Sequence, residues 1–241
     1  MSEGNGPQIF TFPIRYNRRI ISEHFGMKQH AKPARALCEL VANSFGAGAT
    51  KVDILYNKSE LGAVESIIVK DNGHGITLKL MQERLVEVGV PPAIAVDDDF
   101  SRFGVGRFAV FRIGTASRWC SVADADGVRQ KICFTMRGGE DQQSCTVETV
   151  SHNESTGTEI EIIDLHRIPV DQLSQSAVSS EILSQFCSFM LGQPDCRITV
   201  DGESLDLNSV IERHEPDSVE VMGLAEPASI DHLLLKRSVE R

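Results

Sequence analysis

Hydrophobic and polar positions along the chain follow two different periods, and the change of period marks the predicted elements. A helix is predicted to begin at Pro33, which suits a first helical position, because Leu37, Leu40 and Val41 then share one face. Its apolar side is completed by Ser44 or Phe45. The helix is expected to end in the stretch FGAGAT, where two glycines interrupt it.

Short strands and turns dominate the pattern after this helix. KVDILYN and ESIIVKD are strand-like, TLKLMQERLVEVG has helical spacing, and VPPAIAVDDDFSRF predicts an irregular loop. A further helix is predicted within GVGRFAVFRIG, followed by four β-type segments: SRWCSVAD, RQKICFTM, SCTVETVS and GTEIEIID. Turns are predicted at Asp126-Gly127, at Gly138-Gly139 and between residues 153 and 157.

This order of elements predicts an α+β fold, a two-layer α/β sandwich whose mixed, mostly antiparallel sheet carries its helices on one face. PQIFTFPI is expected to form a short edge strand, AVSSEILSQFCSFMLG a helix, and CRITVDGESLDL a hairpin turning at Asp201-Gly202. The predicted organisation is an N-terminal segment over residues 1–30, one domain over 31–214, and an extension over 215–241 that begins a following domain.

Net charge narrows the range of partners. The chain of 241 residues has a formal net charge of -10, which argues against broad attraction to nucleic acid or to an anionic membrane. Basic residues nevertheless collect near the N-terminus, a pattern typical of a solvated face. They are Arg15, Arg18, Arg19, Lys28, Lys32 and Arg35.

Cysteine usage and the N-terminus suggest the compartment. The six cysteines lack the C-x-x-C spacing typical of zinc sites and redox dithiols, so most are expected to be reduced, half-buried thiols. MSEGNGPQIF lacks the features of a secretory signal, and no apolar run approaches the roughly 20 residues that span a bilayer. The expected location is cytoplasmic, without a membrane partner, and a nuclear location is compatible with a eukaryotic source.

The first chemical pattern lies on the predicted helix. ELVAN places Glu39 and Asn43 four positions apart and therefore on one helix face. An amide oxygen suits a hard Mg²⁺ ion, and a carboxylate can orient and deprotonate a water molecule. The same pair is also common on an ordinary solvated helix face.

The second pattern is VKDNGHGI, in which a strand ends at Asp71 and two glycines follow. Glycines allow the backbone to approach a flat ligand, and a carboxylate at this position can accept from an exocyclic amine such as that of adenine. Asn72-Gly73 is equally typical of a plain hairpin turn.

The third and fourth patterns are RFGVGRFAVF and STGTEIEI. In the third, Gly104 and Gly106 precede a helical run, so backbone N–H groups can point at an anion, and Arg107 adds positive charge. G-x-G-x-x-A also matches a dinucleotide fingerprint, but the strand that must directly precede that fingerprint is replaced here by DDDFSRF. No P-loop occurs. In the fourth pattern, a glycine and Thr158 stand at the start of a predicted strand.

In this order, the four patterns resemble the GHKL ATPase superfamily: DNA gyrase B subunits, ninety-kilodalton heat-shock chaperones, sensor histidine kinases and MutL mismatch-repair proteins. ALCELVANSFGAGATKVDI looks like its N box, VKDNGHGI its D-x-G-x-G box, RFGVGRFAVF its lid glycine box and GTEIEI its Gly-Thr box. The resemblance covers about residues 30–165 and implies the Bergerat ATP-binding fold. In detail, the boxes look most like bacterial chaperone-type ATP-binding proteins and MORC-like ATPases.

The resemblance implies a role for each site residue. Glu39 would be the general base for the attacking water, Asn43 the Mg²⁺ ligand and Asp71 the acceptor of the adenine amine. Gly75 would give the ring room, and Thr158 would bond to Asp71 or adenine, directly or through water. The other nucleotide-binding residues implied are Ala47, Gly73, Ile76, Gly104, Val105, Gly106 and Arg107.

Three features depart from the family pattern. Gly46 occupies a position where the family usually has an aspartate, and Ser101 replaces the first glycine of the fuller lid box. No second domain follows that would clearly supply the lysine which many hydrolytic relatives bring to the γ-phosphate. Besides these three features, Arg107 stands where related proteins often have a lysine near the phosphates.

The function implied is Mg²⁺-dependent ATP binding and slow hydrolysis, in which closure of a lid over residues 77–103 drives dimerisation or a conformational switch. PQIFTFPIRY is the candidate for an arm that crosses to a second copy. The alternative is an ATP-binding regulatory sensor or scaffold with little turnover. A histidine kinase is disfavoured because no phosphoacceptor helix precedes the N box. A client protein or nucleic acid would bind through other domains.

Overall fold

A nine-stranded sheet forms the centre of the computed structural model, which describes residues 7–13, 32–85, 106–138, 142–209, 211–219 and 228–235. Its strands are β1 Gln8–Pro13, β2 Lys51–Lys58, β3 Val64–Asp71, β4 Gly114–Ala125, β5 Val128–Arg137, β6 Gln142–Thr149, β7 Gly157–Leu165, β8 Arg197–Val200 and β9 Glu203–Ser204. Their spatial order is β1-β6-β5-β4-β7-β3-β2-β8-β9. Among the described pairs only β2 and β8 run parallel, so the predicted mixed, mostly antiparallel sheet is confirmed.

Three α-helices and three short 3-10 helices accompany the sheet in the described residues. They are α1 Pro33–Gly46, α2 Leu78–Leu85, α3 Gln175–Gly192 and the 3-10 helices Gly106–Arg112, Val170–Gln172 and Leu207–Ser209. Proline opens α1 as predicted, and the Ser174 side chain caps α3 by accepting from the backbone N–H of Ala177. Phe45 joins α1 to α3, since its ring centroid lies 4.5 Å from that of Phe189.

The hydrophobic core lies between the helices and one face of the sheet. Alternate positions along the strands are buried, as in β7, where Thr158, Ile160 and Ile162 point inward. Leu37 and Leu40 of α1 are fully buried, and each such side chain stabilises the fold by about 1.5–3 kcal/mol relative to exposure. This two-layer arrangement is the predicted α+β sandwich.

The opposite face of the sheet carries ion pairs. Lys70 Nζ lies 3.2 Å from Glu159 Oε2, and Arg118 Nη1 lies 2.9 Å from Glu161 Oε2. At least one partner of each pair is more than half exposed, and Glu161 is 23% exposed, so each pair is expected to contribute no more than about 1 kcal/mol. The polar residues that alternate with the core positions therefore face solvent on this side of the sheet.

The turn predictions are confirmed where they fall on described residues. Asp126 and Gly127 have φ of 54° and 80°, and Asp201 and Gly202 have φ of 51° and 85°, as hairpin turns of this chemistry require. Gly139 lies outside the described residues. The predicted N-terminal edge strand is β1, which pairs with β6 at one end of the sheet.

The helix predicted within GVGRFAVFRIG is a 3-10 helix over Gly106–Arg112. Four successive residues, from Arg107 to Val110, are buried. An amphipathic α-helix would leave one side of this run in water, whereas a short tight helix can be enclosed on all sides.

The expectation that most cysteines are reduced agrees with four free thiols among six cysteines, but the expectation that they are half-buried was wrong. Cys38, Cys145, Cys187 and Cys196 are free and buried, and burial raises the pKa of each thiol. Cys120 and Cys133 lie directly opposite each other on β4 and β5 and form a disulfide. Their pairing depends on the register of two strands, which the spacing of cysteines does not reveal.

A separate two-stranded sheet follows the main one. It joins β10 Ile211–Val219 to β11 Ala228–Leu235 in antiparallel register. The predicted boundary between residues 214 and 215 falls inside β10. Within the described residues, no helix is both long and apolar enough to cross a membrane.

Candidate functional site

Asp71, the last residue of β3, is held by three hydrogen bonds. Its Oδ1 atom accepts from the backbone N–H of Gly73 at 2.9 Å and from that of Thr158 at 3.1 Å. Its Oδ2 atom accepts from the hydroxyl of Ser44 on α1 at 2.9 Å. The carboxylate is thus fixed by β3, β7 and α1 together, and it remains half-buried and accessible.

The carboxylate of Asp71 can accept further hydrogen bonds. Each carboxylate oxygen can accept about two hydrogen bonds, and Oδ2 accepts one within the described residues. An ionised carboxylate donates nothing, so a further partner of Asp71 must be a donor. The arrangement therefore fits an amine such as the 6-amino group of adenine.

The loop after Asp71 is hydrogen-bonded to the residue that follows α1. The carbonyl of Ala47 accepts from the backbone N–H of His74 at 2.9 Å, and a Cβ on Gly73 would lie 2.8 Å from the same oxygen. Asn72 binds the start of β2, where its Oδ1 accepts from the N–H groups of Thr50 and Lys51. Asn72 thus has a structural role, fixing the turn that presents Asp71.

Gly75 closes this loop against β4. Its φ is +75°, and a Cβ there would lie 2.1 Å from the carbonyl oxygen of Val122. Ile76, which follows, is half-buried and donates its N–H to Ser121 Oγ at 2.8 Å. The absence of a side chain at Gly75 is therefore required by the strand beneath it, a reason distinct from the room for a ligand predicted from the sequence.

Gly75→Ala is expected to destabilise the domain by about 3 kcal/mol or more, since a left-handed φ and a backbone clash act together. Gly62→Ala is the matched control because its φ is +80° with nothing near the added Cβ, and it should cost only about 1–2 kcal/mol. Urea denaturation of both variants measures the difference. Equal losses of stability would show that the contact with Val122 is unimportant.

Asn43 lies on the side of α1 that faces the 3-10 helix Gly106–Arg112, and Glu39 precedes it by one helical turn on the same helix face. Both are half-buried, and a Cβ on Gly106 would lie 3.1 Å from Asn43 Nδ2. The predicted magnesium ligand and the predicted phosphate loop therefore meet at Gly106. Gly104 and Val105 lie outside the described residues, so their contacts with phosphate stay predictions.

Arg107 is 7% exposed, and its guanidinium lies 4.7 Å from the centroid of the Phe108 ring. Burial lowers the pKa of Arg107 to about 10, so the side chain stays charged at neutral pH. Arg107 directly follows Gly106 in the chain, and its charge is buried rather than presented at the surface.

The donor set fits one Mg²⁺ ion held jointly with a ligand. Among the described residues, no three His, Cys, Asp or Glu side chains form a metal cluster. Mg²⁺ commonly keeps several waters and takes one or two protein oxygens together with phosphate oxygens. The half-buried amide of Asn43 can supply such an oxygen.

Sequence reasoning missed two hydroxyl groups of the site. Ser44 is among the predicted core-facing positions and Ser121 carries no prediction, yet Ser44 donates to Asp71 and Ser121 accepts from Ile76 in the adjoining loop. Ser121 is 1% exposed on the inner face of β4. A serine at a position where strand alternation demands an apolar side chain was the available signal.

The fold is that of an α+β domain, and the family match identifies it as a nucleotide-binding one. A family model described as "Histidine kinase-, DNA gyrase B-, and HSP90-like ATPase" matches residues 31–173, and the chain belongs to this family. The match includes all four sequence boxes, so the predicted GHKL membership is confirmed.

Curated relatives include MutL DNA mismatch repair proteins. The protein of Rickettsia felis is 32% identical over 136 residues, which are 56% of this chain and 21% of the relative. That of Xylella fastidiosa is 25% identical over 173 residues, 69% of this chain and 27% of the relative. The chain thus matches about a quarter of the length of these relatives or less. The finer likeness to chaperone-type and MORC-like proteins stays a prediction.

Proposed function

We propose that this domain binds ATP together with Mg²⁺ and hydrolyses the nucleotide slowly. The observation that carries the proposal is the carboxylate of Asp71, fixed by Gly73, Thr158 and Ser44 with capacity left for one donor. Family membership supports ATP as the ligand. Adenine would place its 6-amino group against Oδ2, while the triphosphate would extend towards Gly106.

Binding and hydrolysis use different residues of α1. Asn43 would supply an oxygen to Mg²⁺, which neutralises phosphate charge when it is bound. Glu39, one helical turn before Asn43, would orient a water molecule and accept its proton. The buried charge of Arg107 would add a positive field at the phosphate end.

We further propose that nucleotide binding changes the association of two chains. The segment of residues 77–103 would close over the phosphates, and the N-terminal segment that includes β1 would contact the second copy. β1 supports this role because it is an edge strand with one side unpaired in the described sheet. A protein client or nucleic acid would bind through surfaces or domains other than this ATP site.

Asn43→Ala is expected to remove most of the affinity that Mg²⁺ adds to ATP binding, a loss of about 10-fold or more. Calorimetric titration with ATP, in Mg²⁺ and then in EDTA, measures that difference for the parent and the variant. Asn57→Ala, at an exposed position of β2, should retain the full Mg²⁺ effect. An Asn43→Ala variant with the parent's Mg²⁺ dependence would show that the metal is held elsewhere.

A further inference from the structure

Cys120 and Cys133 differ from the other cysteines of the chain in their exposure. All six cysteines fall within the described residues, and the other four are free thiols with at most 7% exposure. Cys120 and Cys133 are half-buried on the outer face of the sheet and are joined to each other. A reagent in solution therefore meets the sulfur chemistry of this domain at this pair.

The pair lies in a row of side chains that crosses four strands. Cys133 is opposite Thr146 of β6, and Cys120 is opposite Glu159 of β7. Thr146 is exposed, and the side chain of Glu159 is 46% exposed. Solvent-facing side chains thus flank the two sulfur atoms on both sides, and a small molecule can approach them from this face of the sheet.

The hairpin of β4 and β5 is held together by more than the disulfide. Its backbone ladder pairs ten residues of each strand. Beside the cysteines, on the inner face, the rings of Trp119 and Phe134 stack with centroids 5.6 Å apart. The cysteines are 13 positions apart, so a bridge between them closes a short loop that the hairpin has already closed. We expect the domain to stay folded whether the pair is reduced or bridged.

The four buried thiols are poorly placed for the same chemistry. The thiolate is the form that attacks a disulfide, and burial raises the pKa of each of these thiols. Each of them is also unbridged, so a thiol opposite it that could complete a disulfide is lacking in the structure. Exchange with a disulfide in solution should therefore be selective for Cys120 and Cys133.

We propose that Cys120 and Cys133 form a reversible redox site, which exchanges with small-molecule disulfides of the glutathione type while the domain stays folded. In the oxidising direction, the thiolate of one cysteine attacks a sulfur of oxidised glutathione, and one reduced glutathione leaves. The thiolate of the second cysteine then attacks the protein sulfur of this mixed disulfide, and a second reduced glutathione leaves. The two cysteines lose two electrons and two protons, which the two molecules of reduced glutathione carry away.

The test counts thiols after the folded protein has equilibrated with glutathione. The whole chain is held under nitrogen in mixtures of reduced and oxidised glutathione, quenched with acid, unfolded, alkylated and weighed by mass spectrometry. The parent should carry six labels in reduced glutathione and four in oxidised glutathione, with the two missing labels at Cys120 and Cys133. Emission from Trp119, the single tryptophan, should stay that of a buried indole in every mixture.

The dependence on total glutathione distinguishes a bridge from a mixed disulfide. Bridging releases two molecules of reduced glutathione for each molecule of oxidised glutathione consumed. Dilution of the mixture by about 10-fold, at a constant ratio of its two forms, should therefore raise the ratio of bridged to reduced protein by about 10-fold. Formation of a mixed disulfide alone would not respond to this dilution.

Cys120→Ser and Cys133→Ser each remove the partner that completes the bridge. In oxidised glutathione, each variant should hold one glutathionyl group on the remaining cysteine, because the mixed disulfide cannot be resolved. Cys187→Ser is the matched control, since it removes a thiol of α3 that is 1% exposed. It should carry one label fewer than the parent in every mixture and follow the same glutathione dependence. The titration of the parent decides the proposal if a serine variant does not fold.

Three results would overturn the redox site. Six labels in every mixture would show that the pair does not bridge, and four labels that persist until the protein is unfolded would show a structural crosslink. Loss of labels from the buried cysteines in place of Cys120 and Cys133 would place the exchange elsewhere. Neither cysteine belongs to the proposed ATP site, so the failure of one proposal leaves the other standing.

Discussion

Asp71→Asn is expected to abolish the thermal stabilisation that ATP gives to the parent protein. The change keeps the size of the side chain but replaces an acceptor with an amide whose NH₂ group can face the adenine amine. Two donors then oppose each other, and the loss of a charge-assisted bond adds to this cost. Together these effects should weaken ATP binding by about 100-fold or more. Thermal-shift titrations with ATP, ADP and Mg²⁺ provide the measurement.

Asp53→Asn is the control for this experiment. Asp53 lies on the outer face of the same sheet, where its carboxylate binds Lys51 and Thr199. Burial raises its pKa, but the hydrogen bonds from Lys51 and Thr199, together with the charges of Lys51 and Lys70, outweigh burial and lower the pKa overall. The variant therefore loses a comparably bonded carboxylate outside the site and should respond to ATP as the parent does. The same response from Asp71→Asn would rule out the adenine site.

Glu39→Gln is expected to separate binding from turnover. A general base typically accelerates proton transfer by about 10²–10⁴-fold, so hydrolysis should fall within that range while ATP affinity stays nearly unchanged. Phosphate release under saturating ATP gives the rate, and calorimetry gives the affinity. Glu181→Gln is the control, because Glu181 also places negative charge near Cys38 of α1 but lies on α3.

The same variant distinguishes the two candidate functions and tests association of chains. A protein that hydrolyses ATP should lose turnover in Glu39→Gln, whereas a regulatory sensor would show little turnover even in the parent. If nucleotide drives pairing, light scattering of Glu39→Gln with ATP and Mg²⁺ should show a doubled mass that persists. Hydrolysis at the parent rate would exclude Glu39 as the base, and an unchanged mass would exclude ATP-driven pairing.

Local chemistry in the sequence was sufficient to predict most elements of the fold. Alternation of apolar residues predicts β4 to β7, and Pro33 marks the start of α1. Aspartate-glycine pairs predict both hairpin turns because few other residues tolerate positive φ. The order of the strands in the sheet could not be predicted from the sequence. β4 pairs with β7 across 31 intervening residues, and no local sequence pattern indicates this pairing.

The site was predicted in part. Sequence boxes indicate Asp71, Asn43 and Glu39 because carboxylate, amide and glycine spacings have chemical meaning. The bond between Ser44 and Asp71 spans 27 positions, and Ser121 reaches Ile76 across 45. Such contacts depend on the packing of α1 and β4 against β3 and leave only the weak signal of a polar residue at a core position.

Calorimetric titration of the parent protein with ATP and with GTP, in Mg²⁺, tests the central claim most directly. Asp71 accepts and cannot donate, so it should bind the 6-amino group of adenine and repel the 6-oxo group of guanine. We predict saturable binding of one ATP per chain and binding of GTP that is weaker by about 100-fold or more. Absence of ATP binding, or equal affinity for ATP and GTP, would contradict an adenine site built on Asp71.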